Sequence, residues 1–451
     1  MRKLVLLFLS CLGSGVPTLA QWQRVTDPVT VRNYDFAKVE PVNAQTAWFA
    51  YGTRGAGARI SNVEVYRTQD GGRSWQNSSP ALTSGPYHWL HELRAVDQQV
   101  AWAVVSSSAT SGVAATNNQL LSTTDGGATW VSRTLPTPDF AAGRLSMHFF
   151  DPTEGVLFSQ NARALYRTTD GGLSWQSIAT LPALPLAGTY DKIEFYESGS
   201  VLTLYSQPAD SPTLTHWIST DHGLTWRLLQ LNNAPLTGFP VFRDARHALL
   251  GQAGQVWASA DAGQSWTPAT LPPFLAYTGF SPVPGTTAYV AGASSLPDNS
   301  TTTKGSAISY DDGRTWTLLE NSNTFASIRF AAPDAAWGLQ ATFDPLGSEF
   351  YFGSLSRYNG TALAVRGRAL SAGPLQAYPN PSANGRFALQ LPTTGLRIRS
   401  VRVLDALGRV VYQASSLPAD QRLDLSQQPK GLYSLTIQTN EGLLRCPLLK
   451  N

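Results

Sequence analysis

Apolar and polar residues alternate along this chain in short bursts with a period of two, and no long stretch keeps the 3.6-residue spacing of an amphipathic helix. Val39 to Ala50, Leu93 to Val104, Met147 to Phe158, Ile193 to Leu204, Val241 to Leu250, Phe280 to Val290 and Ile328 to Leu339 each read as an apolar strand, a polar turn and a second apolar strand. Seven such units predict seven antiparallel hairpins in an all-β chain.

A second pattern follows most of the hairpins. Thr68-Gln69-Asp70-Gly71-Gly72-Arg73-Ser74-Trp75 fits the form [Ser/Thr]-x-Asp-x-Gly-x-[Ser/Thr]-Trp, and the form returns at Thr123 to Trp130, Thr168 to Trp175, Ser219 to Trp226, Ser259 to Trp266 and Ser309 to Trp316. Its aspartates, at 70, 125, 170, 221, 261 and 311, recur at roughly 40 to 55 residues, the size of a four-stranded propeller blade. The chemistry is that of a turn. The carboxylate caps backbone N–H groups, glycine accepts a positive φ, the hydroxyls tie the two arms together, and the tryptophan opens the next strand with its ring under the hairpin.

Seven hairpins against six turns leave one blade short of an outer strand. Gln21-Trp22-Gln23-Arg24-Val25 looks like the segment after a turn, as in Ser174-Trp175-Gln176-Ser177-Ile178. It is expected to form the outermost strand of the last blade, beside Leu355 to Tyr358, closing the ring. In this geometry the long two-to-three loops (Thr53 to Ser61, Ser106 to Asn118, Ser294 to Lys304) and the inter-blade connection Gln76 to His91 share the face opposite the aspartate turns. Loops on a rigid scaffold commonly carry function.

Past 364 the pattern changes. Tyr378-Pro379-Asn380-Pro381, Gly385, Val401 to Val411 with Asp405, Gly408 and Arg409, and Lys430-Gly431-Leu432-Tyr433 to Ile437 describe strands broken by Asn, Gly and Pro turns. The expected organisation is a signal peptide over 1–20, a seven-bladed β-propeller over 21–364, a linker over 365–374 and a small Ig-like β-sandwich over 375–451. Met1-Arg2-Lys3, the apolar run Leu4 to Leu12 and the small-residue exit at Ala20 carry the signal-peptide reading. Cys11 hints at a lipoprotein site, but the apolar run before it is short. With the leader removed, Cys446 is the only cysteine, which excludes a disulfide framework.

Composition fits many short strands and tight turns: 38 Gly, 29 Pro and 13 Trp, with 14 % charged residues. A formal charge of +3, without a run of Lys and Arg interleaved with aromatics, argues against nucleic acid as a partner. No further stretch is long and apolar enough to span a bilayer.

The eight-residue phrase resembles the Asp-box, or BNR repeat, of sialidases, sortilin-type receptor domains, xyloglucan hydrolases and photosystem II assembly factors. The resemblance covers one hairpin per unit and implies a propeller whose boxes lie away from the ligand. The tail resembles the type A C-terminal sorting domain of the type IX secretion system of Bacteroidetes, through Tyr378, Pro379, Asn380 and Pro381, the hairpin around Gly408, and the strand with Gly431 and Tyr433. Its ending departs from that pattern with Cys446-Pro447. This resemblance implies the type IX machinery as partner and delivery to the cell surface or the medium.

Candidate chemistry is sparse. A glycosidase needs paired acids, and a sialidase needs an arginine cluster opened by a Phe/Tyr-Arg-Ile-Pro segment. Nothing near Trp22 to Asn33 supplies that segment, and Phe325-Ala326-Ser327-Ile328-Arg329 lies elsewhere and lacks the Pro. No His-Glu-x-x-His, Gly-x-Ser-x-Gly, phosphate loop or Cys-x-x-Cys occurs, so no cofactor or metal is expected. His88 and His91, three apart in an extended segment, point to opposite sides. The remaining expectation is a non-catalytic surface for a glycan or protein, made by Tyr87, His88, Trp89, His91, Glu92, Phe140, Arg144, Tyr190, Asp191, Phe274 and Tyr277 from the inter-blade connections. The competing expectation is a propeller glycoside hydrolase, which facing acids such as Glu92 and Asp191 would favour.

Overall fold

The computed structural model of the chain describes residues 21–28, 34–55, 59–82, 87–108, 117–178, 192–198, 201–207, 215–229, 239–252, 255–273, 277–293, 304–343, 350–359, 375–391, 398–404, 410–414, 416–418, 420–439 and 443–451. The expected signal peptide and linker lie outside them. Seven four-stranded antiparallel sheets occupy Trp22 to Tyr358. Six run in plain sequence order, and the seventh runs from Trp22–Arg24 through Phe350–Tyr358 and Ala335–Phe343 to Phe325–Ala332. The N-terminal strand is the outer strand of blade 7, in the register Trp22↔Tyr358, Gln23↔Arg357, Arg24↔Ser356. The innermost strands are Tyr34–Pro41, Tyr87–Ala95, Leu145–Phe149, Lys192–Ser198, Phe239–Phe242, Tyr277–Pro282 and Phe325–Ala332 for blades 1 to 7.

Burial explains why single blades do not stand alone. Each hydrophobic cluster in the ring is shared by two consecutive blades. Val156 and Phe158 of blade 3, for example, pack with Leu202, Leu204 and Trp217 of blade 4. The last joint returns to the first, with Trp337, Leu339 and Leu355 against Val39, Phe49 and Tyr51. The apolar alternation thus feeds seven inter-blade cores, and their removal from water holds the circle.

The Asp-boxes have the chemistry expected of them. In the first, Asp70 Oδ1 accepts from the Thr68 hydroxyl at 2.8 Å and the Ser74 N–H at 3.0 Å, Oδ2 accepts from the Ser74 hydroxyl at 2.6 Å, and the Gly72 N–H donates to Thr68 Oγ1 at 2.9 Å. The other five repeat this bonding through Asp125, Asp170, Asp221, Asp261 and Asp311. The tryptophans divide into two groups. Trp75, Trp130, Trp175 and Trp316 donate to the carbonyls of Thr26, Ser78, Thr134 and Thr270, just past the outer strand of the preceding blade. Trp226 and Trp266 are buried and donate within their own boxes, to Gly223 and Gly263. Four boxes therefore also rivet neighbouring blades together.

Close packing around the boxes makes one glycine hard to replace. Gly127 has φ +83, and a Cβ there would lie 2.5 Å from Ser78 Cβ and 3.1 Å from the Ser78 carbonyl. Gly127→Ala is expected to cost about 2–4 kcal/mol, from the left-handed backbone and the overlap together, measured by urea denaturation.

Box donors hold Asp70, Asp125, Asp170 and Asp261 down at about 2, through side-chain and backbone hydrogen bonds from the Ser or Thr four residues on. Asp221 and Asp311 are lowered by the same donors against an opposing push from burial. Because these carboxyls titrate lower folded than unfolded, their stabilisation is present above the unfolded value and is lost as pH falls through the folded one. The melting temperature is expected to hold down to about pH 5 and to drop steeply between about pH 4 and 2. An undiminished melting temperature at pH 3 would contradict this.

The tail forms a sandwich. Gln376–Tyr378, Arg386–Gln390 and Arg422–Asp424 make one sheet, and Val410–Ala414, Ile398–Leu404, Gly431–Thr439 and Leu443–Lys450 the other. Phe387, Leu389 and Leu423 from the first pack against Val401, Val403, Leu435, Ile437 and Leu448 from the second. Cys446-Pro447 does not interrupt the last strand, which pairs continuously from Gln438↔Leu443 to Gly431↔Lys450.

Candidate functional site

Box turns and the hairpins between first and second strands lie on one face of the ring, because Gly71, Gly126 and Gly171 donate their N–H groups to Gln45, Gln99 and Thr153 in those hairpins. The opposite mouth is where each innermost strand begins. Tyr34, Tyr87, Phe239, Tyr277 and Phe325 open five of the seven.

Several residues expected in inter-blade connections belong to these strands instead. Tyr87, His88, Trp89, His91 and Glu92 are part of Tyr87–Ala95, paired along its length with Ala101–Ser108, and Tyr277 opens Tyr277–Pro282. The strand arms also extend into the expected loops: Thr53 pairs with Asn62, and Ser107 with Asn117. Local alternation of aromatic and polar residues fits either state, and ladder pairing decides it. Phe140, in the short 3-10 turn Pro138–Ala141, is fully buried against Tyr166 and donates no surface. Arg144 directly precedes Leu145–Phe149 and is half-buried. Tyr190, Asp191 and Phe274 lie outside the described residues, as does Gly408 of the tail.

The register shifts between Leu90 and Glu92, yet His91 bonds Ser106, the partner of Trp89, and so lies on the face opposite His88. The bulge leaves His91 outside the ladder. Its Nε2 lies 2.6 Å from Ser106 Oγ, and burial with Arg144 nearby pushes its imidazole down to about 4, so it is neutral at physiological pH. His88 is buried, and its Nε2 has no hydrogen-bond partner among the described residues. Innermost strands of blades 1, 2, 6 and 7 all carry register shifts, at Tyr34/Phe36, Leu90/Glu92, Tyr277/Phe280 and Phe325/Ser327. Bulges concentrate where a sheet must redirect side chains.

Those contiguous blades also bring together a group of charges that the sequence does not announce. Glu40, 1 % exposed, accepts from Arg329 at 2.8 Å through one oxygen and from Arg94 at 3.2 Å through the other, and Lys38 Nζ lies 3.3 Å from it. Lys38 also bonds Glu92, and Arg94 Nε donates to the Phe149 carbonyl at 2.9 Å. Blades 7, 1, 2 and 3 are thereby joined through two carboxylates and three cations. Burial pushes Glu40 up, but Lys38, Arg329 and Arg94 outweigh it and hold the carboxyl down at about 2. Burial brings the Lys38 ammonium down to about 8. The sequence signal was a charge directly after a core-facing apolar residue of an inner strand, as in Val39-Glu40, Leu93-Arg94 and Ile328-Arg329. A second residue missed was Phe239, 45 % exposed at the mouth and edge-on to Tyr205 at 4.8 Å.

Among the described residues, no three His, Cys, Asp or Glu side chains converge to hold a metal, and no helix is long and apolar enough to cross a membrane. In the tail, Tyr378, Pro379, Asn380 and Pro381 are exposed, Gly431 opens its strand, and buried Tyr433 donates its hydroxyl to the Pro429 carbonyl at 2.5 Å.

Residues 376–445 match the secretion system C-terminal sorting domain, residues 88–200 the photosynthesis system II assembly factor YCF48, and residues 217–228 the BNR/Asp-box repeat. No curated protein matches the chain. Among solved structures it is similar to YCF48 bound to D1 peptide, with 16 % identity over 76 % of this chain and 97 % of that one and a TM-score of 0.48. It is also similar to YCF48 from Cyanidioschyzon merolae, with 14 % identity over 75 % and 98 % and a TM-score of 0.49. For the GH74 xyloglucanase from Xanthomonas campestris the values are 12 %, 71 %, 66 % and 0.23. Box, blade and tail thus converge: the chain is an Asp-box seven-bladed β-propeller followed by the C-terminal sorting domain of the type IX secretion system.

Proposed function

We propose that the ring is a non-catalytic binding module for a glycan or a protein, delivered to the cell surface or the medium by the type IX machinery acting on the tail. In this reading residues 1–20 are a removed signal, 21–364 the working ring, 365–374 a linker and 375–451 the sorting domain. One observation carries the non-catalytic part. Glu40 and Glu92 flank the single ammonium of Lys38, and Glu40 is held ionised at about 2, whereas a glycosidase acid needs a raised carboxyl value to protonate the leaving group. The binding surface is the mouth, where exposed Phe239 and half-buried Trp89 offer faces on which a sugar or a peptide side chain stacks.

Glycoside hydrolysis of a sialidase-like or xyloglucanase-like kind is the second reading, favoured by the proximity of the same two carboxylates. Both are tested together by screening the purified protein against a panel of glycans and envelope proteins, with Trp89→Ala as control and aryl glycosides as substrates. Saturable binding weakened in Trp89→Ala, without turnover, is the expected result. Turnover abolished by Glu92→Gln would overturn it.

A further inference from the structure

The Tyr378-Pro379-Asn380-Pro381 segment and the last strand, Leu443–Lys450, are remote in sequence yet form one hydrogen-bonded unit. Asn380 Oδ1 accepts the Leu449 N–H at 2.9 Å, the Ser382 N–H donates to the Leu449 carbonyl at 2.8 Å, and the Asn451 N–H donates to the Ser382 carbonyl at 3.0 Å. Lys450 fastens the same strand from inside. Its side chain is 9 % exposed, and its ammonium donates to the carbonyls of Leu425 at 3.1 Å, Ser426 at 2.7 Å and Gln428 at 2.5 Å. Three donors meet three acceptors, which is the full capacity of an ammonium. Gly385, at φ +72, leaves the room: a Cβ there would lie 2.9 Å from the Leu425 backbone and 3.0 Å from Lys450 Cδ.

Among the described residues the acceptors of this buried cation are carbonyl oxygens, and burial of a charge is costly unless every donor is used. The cage therefore places Lys450 at one depth, and the Asn380 acceptor fixes the neighbouring residue in register. We infer that Asn380 and Lys450 are positioning residues of a clamp, and that the sorting machinery takes up the clamped last strand, not the linear tetrapeptide. The motif residues hold the surface that is recognised. This is independent of what the ring binds, and rests on the sorting-domain assignment alone.

The experiment expresses the full chain in a cell that has type IX machinery, and compares Asn380→Ala, Asn380→Asp and Lys450→Met. Two quantities are read: the fraction of protein reaching the surface and medium, and amide exchange in the last strand of the purified protein, with exchange at Phe387 and Val401 as the check that the sandwich is folded. Asn380→Ala and Lys450→Met are expected to speed exchange at residues 448–450 about tenfold and to lower export several-fold. Asn380→Asp keeps an acceptor oxygen and is expected to preserve both. Export lost in Asn380→Asp with exchange unchanged would mean the machinery reads the asparagine directly, and would overturn the clamp. So would faster exchange with full export, or Asn380→Ala leaving exchange unaltered.

Discussion

Glu40→Ala is expected to cost about 3–5 kcal/mol of stability, read as a lower urea midpoint, because it strands buried cations instead of removing one contact. Arg94 and Lys38 are held largely out of water, and Arg329 reaches in from blade 7 to the same carboxylate. Deleting the carboxylate leaves like charges facing one another across the joint of three blades. A compensated variant separates this from loss of packing: Glu40→Gln with Lys38→Met lowers the charge imbalance and is expected to recover part of the loss. If Glu40→Ala is as stable as the native protein, the cluster does not fasten the ring.

Trp22→Ala is expected to be comparably severe, about 3–5 kcal/mol. The ring of Trp22 is 3 % exposed, lies 5.0 Å from Phe325 and 5.4 Å from Tyr358 between centroids, and donates from Nε1 to Ser306 Oγ of blade 6 at 2.9 Å. Val25 and Asp27 continue the latch onto Leu355, and Thr26 receives Trp75 of the first box. Removing 21–27 outright leaves Phe350–Tyr358 as an unpaired edge, and association through that edge is the expected outcome in size-exclusion chromatography. A monomer of native stability after that removal would contradict the latch.

These two residues mark how far the sequence was legible. Trp22 was readable because its segment repeats the local phrase after each box, and the seven hairpins were readable because alternation is a local signal. Glu40 was not, because its partners Arg94 and Arg329 stand 54 and 289 residues away, and only blade closure brings them together. The bulge at His91 was likewise invisible, since register is a property of two strands and not of one. Phe140 looked like a surface aromatic in a connection, yet its turn packs back into the joint of blades 2 and 3. Even the boxes held something unread. Three follow Asp with Gly, but His222, Ala262 and Asp312 take the same left-handed backbone at φ 58, 66 and 57. Box bonding imposes that conformation on residues that resist it.

Closure by the N-terminal strand is the claim on which ring, cores and charge cluster all depend, and a paired-cysteine measurement tests it most directly. Gln23 and Arg357 are register partners, so their Cα atoms stand about 4.5–5.5 Å apart, within reach of a disulfide. Gln23→Cys with Arg357→Cys, oxidised and mapped by peptide mass, should give an intramolecular bridge in a monomer and a raised unfolding midpoint. Free thiols at positions 23 and 357 after oxidation, or a bridge found only between two chains, would contradict the account.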